Sequence, residues 1–143
     1  HTSSMGCDNL TNDDTRSITG ITAMLELILC AIALALVQIF AMPALNLHQM
    51  KYLLSNRDTE IELSAMAERV QRAAKNLQES LPIFLTLALL SIHYQVDNSD
   101  PAMGWLLCRL AHFLCYTLGI TMLRSAAFVG SLIALGAMAF ALL

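Results

Sequence analysis

From Met24 to Leu45 the chain reads MLELILCAIALALVQIFAMPAL, with Glu26 its only charged residue. A helix that crosses a bilayer needs about 20 mainly apolar residues, so this stretch is a complete span. Three more follow. One covers residues 65–92, with a charged first half and an apolar second half from Leu81 to Ile92, and the others cover about 102–120 and 125–143. With 57% hydrophobic and 13% charged residues in 143 and a mean hydropathy of +0.61, little sequence remains for a water-soluble core. The fold class expected is an all-α membrane protein, a four-transmembrane-helix bundle forming one domain over 18–143. The opening HTSSMG reads as the residue of an affinity tag, and 1–17 as that residue plus a polar tail.

The connections are a longer polar loop at Asn46 to Ser64, a short acidic one around Asp97 to Pro101, and a tight turn at Gly119 to Leu123. Lys51, Arg57, Arg69, Arg72, Lys75 and Arg124 fall at the end holding the first and third connections, whereas the second carries Asp97 and Asp100. Basic residues collect on the cytoplasmic side, which puts the first and third loops in the cytoplasm and both termini outside, with Arg16 a minor exception. The small residues Ala126, Gly130 and Ala134 suit a close helix contact. A net charge of −3 argues against nucleic-acid binding. The four cysteines show no CxxC or Cys/His spacing, so they read as inert thiols, with no disulfide framework and no metal site.

The first half of the second span is the anomaly. At about 100° per residue, Arg69, Arg72, Asn76 and Glu79 fall within roughly a quarter of the helix circumference, with Lys75 at the edge. Charges at membrane depth face a bundle interior or a water-filled cavity, so the stripe is expected to point inward. Alone it reads equally well as a structural ion network. The third span carries a second stripe, Arg109, His112 and Tyr116, with Trp105 one turn further out, and Arg124 opens the fourth. Together they favour a polar ligand site in the cytoplasmic half. Arginine supplies paired donors for carboxylates, Glu79 can accept from an ammonium, and Asn76 can pair with a peptide amide. A small zwitterionic peptide with more than one carboxylate fits this inventory, and glutathione is one that also carries a thiol.

The segment ERVQRAAKNLQESLPIF, from Glu68 to Phe84, resembles the signature of the MAPEG family, the membrane-associated proteins in eicosanoid and glutathione metabolism. Glu68, Arg69, Arg72, Ala73, Asn76, Glu79, Pro82 and Phe84 stand at its fixed positions. RLAHFLCYTLGITMLRS, from Arg109 to Ser125, resembles the third helix and the turn into the fourth, and LSNRD, from Leu54 to Asp58, the loop of bacterial members. The resemblance implies a homotrimer in a bacterial inner membrane, its termini periplasmic, with glutathione as cosubstrate between subunits near the cytoplasmic face. It implies a site of Arg69, Arg72, Asn76, Glu79, Arg109, His112 and Tyr116, with Arg124 and Ser125 at the thiol as the catalytic pair.

Three positions depart from the pattern. Gln38 stands at the inner end of the first helix where eicosanoid-forming members carry a basic residue, Ser80 stands where one branch has tyrosine, and Phe128 replaces a tyrosine near the start of the fourth helix. Two readings follow. One is a glutathione-dependent transferase or peroxidase that activates the thiol for attack on hydrophobic electrophiles or lipid hydroperoxides. The other is a non-catalytic lipid-binding or scaffold protein, whose stripes set subunit register. A channel or transporter would need polar groups continuing outward, and beyond Glu26 and Trp105 the outer halves are apolar.

Overall fold

The computed structural model describes residues 5–45 and 65–143, and the side chains of 5–14, 16, 17, 42, 43 and 45 are outside that description. The loop expected at Asn46 to Ser64, with Lys51, Arg57 and the LSNRD segment, lies outside the described residues, as does the side chain of Arg16. Among the described residues four helices follow in order: α1 (Met5–Leu45), α2 (Ala65–His93), α3 (Ser99–Leu118) and α4 (Thr121–Ala141). No strand occurs among the described residues.

Each helix buries one narrow seam. On α1 it is Met24, Leu27, Ala31, Ala35 and Gln38; on α3, Ala102, Trp105, Arg109 and His112; on α4, Ser131, Leu135 and Met138. Steps of three and four residues are the spacing of a left-handed bundle with helices crossing at about 20°. Alanine and serine are frequent in these seams, and without a hydrophobic drive between helices in lipid, small residues that admit close backbone approach hold a bundle together. Gly130 illustrates this, because a Cβ there would lie 3.0 Å from the Cys108 Sγ of α3. The opposite faces carry exposed Leu29, Phe40, Ile133 and Phe140. Among the described residues two stretches are long and apolar enough to cross a membrane alone, Ile18–Ala41 with mean hydropathy 2.5 and Thr121–Ala141 with 1.6. Of their most apolar parts only 28% and 17% are buried, unlike the core helix of a soluble protein.

On α2 the outcome differs from the sequence expectation. The face buried within the chain is Ala67, Val70, Ala73, Ala74, Leu77, Ser80 and Phe84, while Arg69, Arg72 and Glu79 are exposed and only Asn76 of the stripe is half-buried. The alanine-rich face packs closely and sheds little hydration, whereas burying the stripe would strip water from guanidinium and carboxylate groups. The stripe therefore lies along the edge of the bundle.

The boundaries also differ in places. Helix α1 starts at Met5, well before the expected span, and no proline interrupts the sequence before Pro43. Helix α3 starts at Ser99, so Pro101 lies in its first turn, where no intrahelical N–H bond is needed. The turn between α3 and α4 is only Gly119 and Ile120. Gly119 adopts φ 78°, and the Ile120 N–H donates to the Cys115 carbonyl at 2.9 Å, a left-handed cap that closes the helix in two residues.

The end of the bundle at the α2–α3 connection is tied by a buried amide. Asn98 Nδ2 donates to Ser91 Oγ at 2.8 Å and to the Met138 carbonyl at 3.1 Å, joining the ends of α2 and α4 to the start of α3. Removing it leaves buried acceptors without a donor, so Asn98→Ala should destabilise the bundle by about 1–3 kcal/mol, seen as a lower thermal midpoint in detergent. Beside it, Asp97 Oδ1 accepts from the Ser99 hydroxyl and the Ser99 N–H. Those two bonds, the hydroxyl's first, hold the Asp97 carboxyl below its ordinary value. A carboxylate depressed in the folded state contributes stability above its unfolded pKa and loses it as pH falls through the folded one. Asp97→Asn should therefore lower the thermal midpoint at neutral pH, leave it nearly unchanged at acid pH, and so flatten the acid limb of the midpoint-versus-pH curve.

Candidate functional site

The turn after α3 brings the first residue group together. A cavity of about 150 Å³ is lined by Arg69 and Arg72 of α2, Cys115 and Tyr116 of α3, Gly119 and Ile120 of the turn, and Thr121 and Arg124 of α4. Three guanidinium groups face one small volume with no carboxylate among its described lining residues, a setting that favours an anion. Arg124 lies over the Tyr116 ring, its Cζ 4.8 Å from the centroid, a cation–π contact that orients it. Arg69 approaches the turn so closely that a Cβ on Gly119 would lie 3.0 Å from its Nη1. Arg72 is turned back toward Glu68, with a 3.2 Å ion pair between side chains 60% and 53% exposed. An exposed pair of this kind contributes about 0–1 kcal/mol, so an incoming carboxylate can displace it.

A second, drier layer lies one helical turn deeper. Arg109 is 2% exposed. Its Nη1 donates to Asn76 Oδ1, and its Cζ lies 5.8 Å from the Trp105 ring and 5.6 Å from the Phe128 ring. Trp105 is itself stacked on Phe84 at 4.0 Å and 6°. Buried His112 lies between the layers, its ring 5.5 Å from Tyr116 and 6.3 Å from Phe128. Arg109 Nε, Trp105 Nε1 and Gln38 Oε1 are buried with no hydrogen-bond partner among the described residues.

Of the residues singled out in the sequence, Arg69, Arg72, Tyr116 and Arg124 thus share the cavity, while Asn76 and Arg109 form the layer beneath and His112 lies between the two. Glu79 and Ser125 are exposed and line neither. Ser125 Oγ donates to its own helix, to the Thr121 carbonyl. Gln38 faces into the bundle and is 2% exposed. Sequence reasoning missed Cys115, Gly119, Ile120 and Thr121 as lining residues. Cys115 stands three residues after His112, on the same face, a spacing that could have placed it. Cys30 and Cys108 are also free thiols. Among the described residues no group of His, Cys, Asp or Glu could hold a metal ion.

Gly119→Ala should cost about 1–2 kcal/mol for an L-residue in the left-handed region and push Arg69 out of the cavity. A fall in thermal midpoint together with weakened anion binding would register both effects.

A model of the MAPEG family matches residues 27–143, which takes in α1 from Leu27 onward, the whole of α2, α3 and α4, and both layers. No curated protein matches the chain.

Proposed function

From the chain's membership of the MAPEG family, we propose that it is a membrane glutathione transferase or peroxidase acting on hydrophobic electrophiles or lipid hydroperoxides. The family includes glutathione transferases and peroxidases as well as non-catalytic members. The observation that carries the enzymatic reading is the cavity itself, with Arg69, Arg72 and Arg124 around one volume beside Tyr116. Glutathione has two carboxylates and a thiol, and three convergent guanidiniums suit a ligand that is anionic at several points.

Arg69 and Arg72 hold carboxylates, and Arg124 takes the sulfur. A thiol of pKa about 8.5 is mostly protonated at neutral pH, and only the thiolate is nucleophilic. A guanidinium beside the sulfur favours the anion, each unit of lowering being worth about 1.4 kcal/mol. The thiol proton leaves to water, and the thiolate forms a C–S bond with an electrophile that enters from the lipid. With a hydroperoxide it attacks the terminal oxygen instead: an S–O bond forms as the O–O bond breaks, the leaving alkoxide takes a proton from water to become the alcohol, and the sulfenic acid left on glutathione condenses with a second glutathione to the disulfide and water. The protein's contribution is ionisation of the sulfur and its positioning against the substrate.

In this reading the subunits form a homotrimer in a bacterial inner membrane, with the termini periplasmic and the cavity toward the cytoplasm. The edge of α2 bearing Arg72 and Glu79 then faces a neighbouring subunit, so Glu79 meets the ammonium of a ligand held between subunits. The exposure of Glu79 and Ser125 outside the cavity favours the second reading, a lipid-binding scaffold in which these groups serve subunit register.

Calorimetry with glutathione on the detergent-purified protein separates the two. Saturable binding is expected, weakened about 10- to 100-fold in Arg72→Ala, as for loss of a hydrogen bond to a charged group worth about 1.5–3 kcal/mol. The ultraviolet thiolate absorbance of the complex is expected to disappear at neutral pH in Arg124→Ala and to reappear at higher pH. No binding at millimolar glutathione would leave the scaffold reading. Glu68→Gln, which frees Arg72 from its exposed pair, should strengthen binding by a few-fold at most.

A further inference from the structure

The buried contact between Arg109 and Asn76 fixes which way the Asn76 amide faces. Arginine carries only donors, so the atom that meets Arg109 Nη1 is the carbonyl oxygen, Oδ1. The amide is therefore not free to turn over. Asn76 makes no other side-chain hydrogen bond among the described residues, and it is only half-buried while Arg109 is 2% exposed. Its NH₂ group is thus the polar end left for a ligand.

We infer that Arg109 is a positioning residue that holds Asn76 as a one-sided donor, so that this asparagine recognises an acceptor oxygen of the ligand, a carboxylate or a peptide carbonyl. The inference rests on the glutathione reading of the cavity for the ligand's identity; the amide orientation does not depend on it. A cation donating to one end of an amide polarises it and strengthens the N–H bonds at the other end as donors. Asn76 lies one turn beyond Arg72, about 6 Å along α2, within the reach of a tripeptide held in the cavity. Arg109 is gripped between the Trp105 and Phe128 rings and acts through Asn76, so the two positions are coupled.

The test combines a resonance with a double-mutant cycle. In protein labelled with ¹⁵N-asparagine, the Asn76 side-chain resonance, assigned by its loss in Asn76→Ala, should move in Arg109→Met and return toward its original position in Arg109→Lys. Glutathione affinity should fall about tenfold in Arg109→Met and by a similar factor in Asn76→Ala, with no further fall in the double variant. Asn76→Asp keeps a partner for Arg109 but turns an acceptor outward, so it should retain its thermal midpoint and lose glutathione binding; it also decides the matter if Arg109→Met does not fold. An unmoved resonance, losses that multiply in the double variant, or unimpaired binding by Asn76→Asp would each overturn the proposal. If the unmutated protein binds no glutathione, the functional reading falls and the resonance alone decides whether Arg109 holds the amide.

Discussion

A guanidinium buried inside an apolar bundle needs partners to offset the water it has lost. At the centre of a membrane helix an arginine costs about 2.5–3.5 kcal/mol even on the most lenient scale. Arg109 is compensated from three helices: Asn76 on α2 accepts from it, Trp105 on its own helix presents a ring, and Phe128 on α4 presents another. Trp105 is held in turn by the stacked ring of Phe84 on α2. The relative depths of α2, α3 and α4 are thereby coupled to one charge. A shift of α2 by one turn would separate Asn76 from Arg109 and Phe84 from Trp105 together.

This coupling gives a physical meaning to the signature in α2. Its residues divide by depth: Asn76 and Phe84 grip the third helix, while Arg69 and Arg72 stand at the cavity above. The same segment therefore sets the register of the bundle and supplies the cations, and the register places those cations opposite Tyr116 and Arg124 across the cavity. A substitution at Phe84 would act on the cavity through Trp105 and Arg109, at a distance and without touching a ligand.

The four helices were legible in the sequence because apolar runs of spanning length leave few alternatives, and the Gly119 turn because glycine before an apolar run suits a left-handed cap. The direction of the α2 stripe was not. Helix α2 carries two competing faces, the polar one at Arg69, Arg72, Asn76 and Glu79 and the small apolar one at Ala67, Val70, Ala73, Ala74 and Leu77. Periodicity identifies both and ranks neither. The outcome turns on close packing of alanines against neighbouring helices, which depends on the partners' shapes. The pairing of Asn76 with Arg109 was similarly hidden: both were visible as polar residues on helical stripes, but which atom of one meets the other depends on the depth at which α2 and α3 pack.

The two layers differ in what they can exchange. In the cavity, Arg72 is paired with a half-exposed Glu68 and Arg124 rests on an aromatic face, partners that an anion can displace or join at little cost. Beneath it, the charge of Arg109 has exchanged water for Asn76 and two rings, and a group desolvated that far is not easily drawn out toward a ligand. The deeper arginine is thus better suited to holding other groups still than to binding, and the shallow ones to binding. His112, buried between the layers and in ring contact with both Tyr116 and Phe128, links a change at the cavity wall to the surroundings of Arg109.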